Sequence, residues 1–369
     1  MTSAERIRAT YELRPVDHLF RREFYFWPQA IERWRSEGMP EDWDKRNLFG
    51  FDPHPWVGQP VDLGWCEIPF VPAYDYKVLE DDGFTQIVQD TNGQVKRIIK
   101  DMVHGFMPTY LKNVVETRED WERDVRRRID PHSPERWADF DKKIAEVQRL
   151  VAAGSHLLSA NTVAGYMYLR DLFGPEKLLY AFYDAPDLIH DCLKQWLDLM
   201  VTVLTRVQDH VPIYRLFLAE DICYKSGPLI SPKTFREFLA PYYRELVQTL
   251  RRRQRERLYF EVDTDGNPDG LLPAYIECGL DAMEPFEVAA GCDVVRTARE
   301  YPQLILAGGI DKRILAAGPE AIDREVERIL PAMVARSGFH PTCDHGVPHD
   351  VSFANYCHYR KRVLELDHG

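Results

Sequence analysis

Short apolar runs alternate with amphipathic segments along the sequence from residue 119 onward. The pattern is clearest around IYRLFLAED, RLYFEVDTDG and LILAGGIDK, each followed by a segment whose apolar residues recur with a helical period. Buried strands that alternate with amphipathic helices are typical of βα units around a parallel sheet. Repeated units of this kind, without a GxGxxG turn, predict an α/β fold of the (β/α)8 TIM-barrel type rather than a doubly wound dinucleotide-binding fold.

The first part of the chain follows a different pattern. A helix is predicted to begin near Pro28, which suits a first turn, and to stop at Gly38. Two β-rich runs flank the Asn-Gly pair at 92–93 and predict a hairpin. We therefore expect an N-terminal helical and hairpin extension, residues 1–118, packed on a barrel formed by residues 119–369, within one structural domain.

Composition and charge restrict the class of protein. The chain has 369 residues, 45% of them hydrophobic, and a formal net charge of -12, which argues against a nucleic-acid or anionic-membrane partner. No apolar run is long enough for a membrane span, and the first residues lack the apolar core of a signal peptide. Seven scattered cysteines without a CxxC pair indicate free thiols in a reducing compartment, so we expect a cytoplasmic protein.

Acidic residues follow five successive predicted strands. In a barrel of this type functional side chains lie where strands end and the following loops begin. Buried acids are costly unless they are paired, protonated or bound to a cation, so their recurrence at these positions indicates a site. The residues at these strand ends are Glu220, Asp221, Asp263, Asp265, Glu284, Glu287, Asp311, Asp344 and His345.

Several of these residues have an equally good structural interpretation. Asp311 could cap a helix or form a surface ion pair, and Glu284 and Glu287 could link loops. Asp263 and Asp265, two apart, point to the same side of an extended chain and are expected to face the pocket.

In the segment FHPTCDHGVPHD, Asp344 and His345 are the candidate site residues, and three other polar residues are expected to be structural. Cys343 is expected to pack in the strand, and His349 and Asp350 are expected to lie in a loop. The aromatic N-terminal residues could wall the barrel mouth, but we expect most of them to pack. These residues are Phe24, Tyr25, Phe26, Trp27 and Trp34.

Two kinds of chemistry remain open for the predicted site. Asp263, Asp265 and His345 would suit a divalent metal such as Zn²⁺, and they would equally suit an acid–base set in which Asp344 takes part. We assign catalysis to these four residues and a metal to the first three. The predicted substrate contacts are Glu220, Asp221, Glu287, Tyr166 and Arg170.

Several segments resemble the uroporphyrinogen decarboxylase superfamily, whose fold is a (β/α)8 barrel. The resemblance is carried by EDICYKSG, DTDGNPDG, AGGIDKRIL and DHGVPHD. Decarboxylases of this superfamily use no cofactor and hold substrate carboxylates with arginines of an N-terminal MRQAGRY motif, whereas the corresponding region here reads RREFYFWPQAIERW. The DHG at 344–346 is similar to their GHG, which implies that His345 contacts the substrate.

The methyltransferase branch of the superfamily binds Zn²⁺ through H-x-C-G and a late GCG segment. Aligned on these motifs, DTDG places Asp263 and Asp265 at two ligand positions, and DHG places His345 at the third. The resemblance therefore implies a zinc site with harder donors than thiolates, suited to polarising an oxygen such as that of a methyl ether. If the metal has been lost, a His–Asp acid–base pair would remain.

The resemblance leads to one leading prediction and two alternatives. We expect a methyltransferase nearer the corrinoid and zinc branch, of the O-demethylation type, that moves a methyl group from a small substrate to a corrinoid protein or a similar acceptor. The first alternative is a cofactor-free decarboxylase acting on a tetrapyrrole or another carboxylate. The second is a non-catalytic barrel that binds a tetrapyrrole or corrinoid. The superfamily also contains dimers, which makes a homodimer possible here.

Overall fold

The structure is a computed structural model that describes residues 1–100 and 108–368 of the chain. Its strands are β1 (Trp56–Gly58), β2 (Lys77–Asp81), β3 (Thr85–Gln89), β4 (Val95–Ile99), β5 (Thr109–Lys112), β6 (Leu157–Val163), β7 (Arg215–Ala219), β8 (Cys223–Tyr224), β9 (Gly227–Pro228), β10 (Tyr259–Asp263), β11 (Ala282–Glu284), β12 (Ile305–Ala307) and β13 (Phe339–His340).

The helices that connect and cover these strands vary from single turns to more than six turns. The α-helices are α1 (Ser3–Tyr11), α2 (Pro28–Ser36), α3 (Arg118–Asp120), α4 (Phe140–Ala152), α5 (Gly165–Phe173), α6 (Lys177–Asp184), α7 (Pro186–Gln208), α8 (Pro232–Thr234), α9 (Ala240–Arg253), α10 (Leu272–Glu277), α11 (Val294–Glu300), α12 (Lys312–Ala317), α13 (Pro319–Arg336) and α14 (Phe353–Leu366). Short π- and 3₁₀-helical turns span Trp121–Val125, Arg126–Ile129, Pro134–Trp137, Phe235–Leu239 and Val288–Ala290. Within the described ranges, no helix combines the length and the apolar character needed to cross a bilayer.

The main sheet has seven parallel strands in the order β1-β6-β7-β10-β11-β12-β13. Each strand from β6 onward lies beside the next sheet strand in the sequence, and helices fill the connections, as the alternating pattern predicts. All five residues of β7 are buried, because helices cover the sheet on its outer face and side chains fill its interior. The predicted fold class is confirmed: the chain forms a curled parallel sheet of the TIM-barrel type.

One aromatic side chain shows how strongly the sheet curls. The ring of Tyr11, at the end of α1, lies 6.2 Å from the ring of Trp56 in β1 and 6.0 Å from that of His340 in β13. These strands are the two edges of the sheet. Since one ring contacts both edges, the sheet wraps around it, and α1 covers the end at which the strands begin.

The N-terminal hairpin is confirmed. Strands β3 and β4 pair antiparallel around the Asn-Gly turn, in which Gly93 has a φ of +80°. They form the centre of a second, four-stranded sheet in the order β2-β3-β4-β5. This sheet is joined to α5 because Asn92 and Gln94 donate hydrogen bonds to Asp171.

The predicted helix around Pro28 is also confirmed as α2, with Pro28 in its first turn. Its Trp34 stacks on Tyr356 of α14 with the ring centroids 4.7 Å apart. Strand β1 lies within residues 1–118 and pairs with β6, so this region supplies one strand of the main sheet. A division of the chain at residue 118 stays a prediction.

Candidate functional site

A cavity of about 440 Å³ opens at the carboxyl ends of β7, β10 and β11. This is the end of the barrel at which loops follow the strands and functional side chains collect. Its lining includes the acids Glu220, Asp221, Asp263, Asp265 and Glu284, together with His345. The structure therefore brings together six of the residues predicted from the strand-end pattern.

The strand register sets two of these acids side by side. Asp263 ends β10 and is paired in register with Glu284, the last residue of β11. Side chains at paired positions of neighbouring strands project to the same face of the sheet. Burial, together with the charges of Glu284 and Asp265, raises the pKa of Asp263 well above its ordinary value. Asp263 is therefore a carboxyl group that can hold a proton in the cavity.

Arginine side chains compensate two of the other acids. Arg22 forms an ion pair with Glu284, which is itself buried, and burial raises the pKa of that carboxyl group. Arg170 forms an ion pair with Asp221. The predicted substrate contact Arg170 is thus occupied by a neighbouring carboxylate. Tyr166, the other predicted contact on α5, is fully buried and does not line the cavity.

Glu220 forms the most deeply buried part of the lining. It has no exposed surface, and both of its carboxylate oxygens accept from the hydroxyl of Tyr243, at 2.6 and 2.7 Å. Burial raises the pKa of Glu220 to about 8. A proton on this side chain is therefore retained near neutral pH.

We expect Glu220→Gln to stabilise the protein far more at about pH 8 than at about pH 5. Between the ordinary pKa of 4.5 and the folded value of about 8, the folded chain binds more protons than the unfolded chain. Its stability therefore falls as the pH rises, by up to about 1.4 kcal/mol per pH unit. The glutamine removes this loss. Urea unfolding of wild type and Glu220→Gln across this pH range measures the difference in their free energies of unfolding, and the exposed Glu277→Gln is the control. Parallel pH profiles for wild type and Glu220→Gln would contradict the expectation.

His345 pairs with Asp265. Its Nε2 lies 3.3 Å from the Asp265 carboxylate, and its Nδ1 lies 3.2 Å from the hydroxyl of Tyr25. The ring also contacts Phe24, with the centroids 5.5 Å apart. The predicted acid–base interpretation therefore has a geometric basis in His345 and Asp265.

Asp344 points elsewhere and joins three loops. Its carboxylate has no exposed surface, accepts from the backbone N–H groups of Val288 (2.9 Å) and Lys312 (3.0 Å), and lies 3.8 Å from Lys312 Nζ. It does not line the cavity. The structure thus separates it from His345, its neighbour in sequence.

The remaining strand-end candidates lie outside the cavity. Glu287 accepts from the Gly266 backbone N–H at 2.9 Å and from Lys312 Nζ at 3.0 Å, and therefore links loops. Asp311 caps α12 and pairs with Arg313. Glu287 and Asp311 therefore have structural roles, the linking of loops and the capping of a helix, which the sequence analysis gave as alternatives.

Three other polar residues of FHPTCDHGVPHD are structural, although Cys343 lies in the loop after β13 and not in the strand as expected. Cys343 is fully buried, and its backbone N–H donates to Glu23. His349 and Asp350 are mostly exposed and pair with each other. All seven cysteines are free thiols.

The predicted metal ligands share the cavity but do not form a closed donor set. Asp263, Asp265 and His345 all line it, and two of them are in contact. In the part of the chain that the structure describes, no group of three or more His, Cys, Asp or Glu side chains is arranged to hold a metal ion. Zinc at this position stays a prediction.

Aromatic residues form walls of the cavity, and two of them, Trp65 and Phe217, were not singled out from the sequence. Trp65, from the loop after β1, lies 4.8 Å from Phe217 of β7 between ring centroids. Phe24 and Tyr25 also line the cavity, whereas Phe26 and Trp34 pack against each other and Tyr356. These aromatic walls continue into an adjoining cavity of about 960 Å³, which shares its lining residues Arg22, Phe24, Tyr25, Trp65 and Phe217 with the first.

The chain also matches a known family model. The model of uroporphyrinogen decarboxylase (URO-D) matches residues 102–365, well over half of the chain. The chain belongs to the URO-D family. This confirms the family predicted from the strand-end segments.

The curated relatives of this URO-D family member are distant. It is 28% identical over 241 residues to the uroporphyrinogen decarboxylase of Aromatoleum aromaticum, a match covering 62% of this chain and 64% of the relative. It is 35% identical over 105 residues to the uroporphyrinogen decarboxylase of Rhodococcus erythropolis, covering 27% and 26% of the two chains. The chain thus spans less than two thirds of the length of these relatives.

A solved structure shares the fold over its whole length. A methyltransferase from Methanosarcina mazei aligns with this URO-D family member over 99% of both chains, with a TM-score of 0.57 and 15% sequence identity. At this identity the likeness concerns the fold. It agrees with the barrel architecture described above.

Proposed function

We propose that this URO-D family member is a methyltransferase that moves a methyl group from a small substrate to a corrinoid protein or a similar acceptor. The observation that carries the proposal is that the arginines of the cavities are already paired with carboxylates of the protein. Each arginine that lines the two cavities is ion-paired with a carboxylate in the described structure: Arg21 with Asp367, Arg22 with Glu284 and Arg215 with Glu261.

This arrangement disfavours the decarboxylase alternative. A cofactor-free decarboxylase of this family holds substrate carboxylates with arginines, and a buried carboxylate without a cationic partner is strongly unfavourable. Here a carboxylate ligand would have to displace a carboxylate of the protein from its arginine. It would also approach Asp263 and Asp265. The charges therefore favour a substrate without carboxylates at its reacting end.

The side chains of the cavity suit methyl transfer in two ways. The aromatic walls exclude water from the methyl group and position it for attack, which is a large part of the rate enhancement in a two-substrate reaction. Asp263 can hold a proton, and the His345–Asp265 pair can exchange one. The O-demethylation type expected from the sequence would use such a proton at the departing oxygen. The full-length likeness to a methyltransferase supports the proposal at the level of the fold.

Methyl transfer to free cob(I)alamin tests the proposal. We expect the protein to methylate this acceptor from a methyl ether or a methylated amine or sulfonium, as followed by the absorbance of methylcobalamin. Asp263→Ala should lower the rate by about 10²-fold or more, whereas the surface variant Glu277→Gln should not. Release of CO₂ from uroporphyrinogen, or tetrapyrrole binding without any methyl transfer, would contradict the proposal.

A further inference from the structure

The cavity combines two kinds of surface that bind cations. Two pairs of aromatic rings line this cavity, and they come from different strands or loops of the sheet. Trp65 and Phe217 belong to the β1–β7 side, and Phe24 and Tyr25 flank His345 on the β13 side. The faces of aromatic rings attract cations within about 6 Å of the ring centroid.

One of these rings, that of Phe217, already contacts a cation at the boundary of the adjoining cavity. The guanidinium carbon of Arg215 lies 4.3 Å from the Phe217 centroid and 4.0 Å from the Trp56 centroid. This arginine is needed where it is, because it also pairs with buried Glu261. The contact shows that Phe217 has the surroundings in which a cation–π interaction forms.

The carboxyl groups of the cavity outnumber their cationic partners. Glu284 and Asp221 are each paired with an arginine. Among the described residues, the side chain of Asp263 has no ion-pair partner, and Asp265 contacts only the imidazole of His345. Asp263 therefore faces a 440 Å³ space in which a bound cation would take the place of the proton that this carboxyl group otherwise holds.

Resting on the proposed methyl transfer, we infer that the methyl donor is a small onium ion, in which the methyl group is bonded to a positively charged nitrogen or sulfur. Carboxylates and aromatic faces in one cavity are the recognition chemistry of such ions. The inference departs from the methyl ether expected from the sequence.

The transfer from an onium ion needs no acid. The bond between the methyl carbon and the nitrogen or sulfur breaks, and its electron pair stays on that heteroatom. The acceptor nucleophile, a reduced corrinoid or a thiolate, supplies the electron pair of the new bond to the methyl carbon. The remainder of the donor leaves as a neutral amine or sulfide. Because its positive charge is then lost, the product is held less tightly than the donor.

Calorimetric binding without any methyl acceptor tests the inference. The probes are choline and its neutral isostere 3,3-dimethylbutan-1-ol, which differ in charge but hardly in shape. We expect choline to bind about tenfold or more tightly than the isostere. Tetramethylammonium and trimethylsulfonium then show which heteroatom is preferred, and methoxybenzene represents the ether.

Variants show which residue causes the preference for choline over its neutral isostere. Asp263→Asn should weaken choline binding by about tenfold or more and leave the isostere unchanged. Asp311→Asn, the same change at a strand-end acid outside the cavity, should alter neither. Equal binding of choline and the isostere, tighter binding of methoxybenzene, or a choline affinity unaffected by Asp263→Asn would overturn the inference.

The two proposals fail separately. Methyl transfer from an ether, without onium binding, would overturn the onium inference and leave the methyltransferase proposal intact. Onium binding at Asp263, without methyl transfer to any acceptor, would overturn the methyltransferase proposal and leave the charge preference of the cavity intact.

Discussion

Replacing Arg215 by Met is expected to lower the free energy of unfolding by about 3–5 kcal/mol. Arg215 Nη1 lies 3.1 Å from a carboxylate oxygen of Glu261, and both side chains are almost completely buried, at 8% and 1% exposure. Tyr11 also donates its hydroxyl to the same carboxylate. Without the arginine, Glu261 would remain as a buried charge with no cationic partner, which is the costly half of a broken ion pair.

The matched control for this prediction also removes the carboxylate of Glu261, which Arg215→Met leaves without a cationic partner. Glu261→Gln in the Arg215→Met background should recover most of the lost stability, because an amide is far less costly to bury than an unpaired carboxylate. Urea unfolding of wild type, single and double variants measures both effects. A double variant no more stable than Arg215→Met would show that the loss comes from packing against Trp56 and Phe217 instead.

Asp344→Ala is expected to cost about 2–4 kcal/mol of stability. Its carboxylate accepts two backbone N–H groups, those of Val288 and Lys312, and is fully buried. Removing the acceptor leaves two donors unsatisfied, each at a cost of about 1–3 kcal/mol. The loops after β11 and β12 lose their common anchor in the loop after β13.

His345→Ala provides the comparison, because it removes the neighbouring residue in the same loop. His345 is partly exposed, at 19%, and its contacts are with Asp265 and Tyr25 at the cavity surface. Its loss should change the free energy of unfolding by less than about 1 kcal/mol. If the two alanine variants are equally destabilised, the distinction between an anchoring Asp344 and a cavity-facing His345 is wrong.

The fold could be predicted because most of its strands and helices leave a local pattern of apolar and polar residues in the sequence. Apolar runs with intervening amphipathic segments determine a parallel sheet covered by helices, and the Asn-Gly turn determines the β3–β4 hairpin. The strand ends then locate the acids of the site. Asp263 and Glu284 could be placed in one site from this argument because neighbouring strands end at the same edge.

The partner of His345 could not be predicted in this way. Asp344 and His345 are adjacent, and adjacent side chains of an extended segment point in opposite directions. Which of the two faces the cavity depends on the path of the loop after β13. The sequence leaves that path open, and the structure directs His345 toward Asp265 and Asp344 toward the backbone of two other loops.

Trp65 and Arg22 carry no local signal in the sequence, and the sequence does not show which of the N-terminal aromatic residues line the cavity. Trp65 follows β1, a strand of three residues that is too short for a periodic pattern. Phe24 and Tyr25 lie in an aromatic stretch whose other members, such as Trp34, pack in the core. Arg22 reaches Glu284 across 262 positions of sequence. Contacts of this range follow only from the folded, curled sheet.

The residues at the two ends of the described chain hold each other in place. Arg21 pairs with Asp367, 346 positions away, the Leu19 N–H donates to the Asp367 carbonyl, and Trp34 donates to the Val351 carbonyl. A ribosome adds about 5–20 residues per second, so the N-terminal segment waits roughly 20 to 70 s for these partners. During synthesis its aromatic side chains are without their final neighbours until residues 340–367 have left the ribosome. The N-terminal segment is therefore expected to reach its final packing late, only after residues 340–367 have emerged.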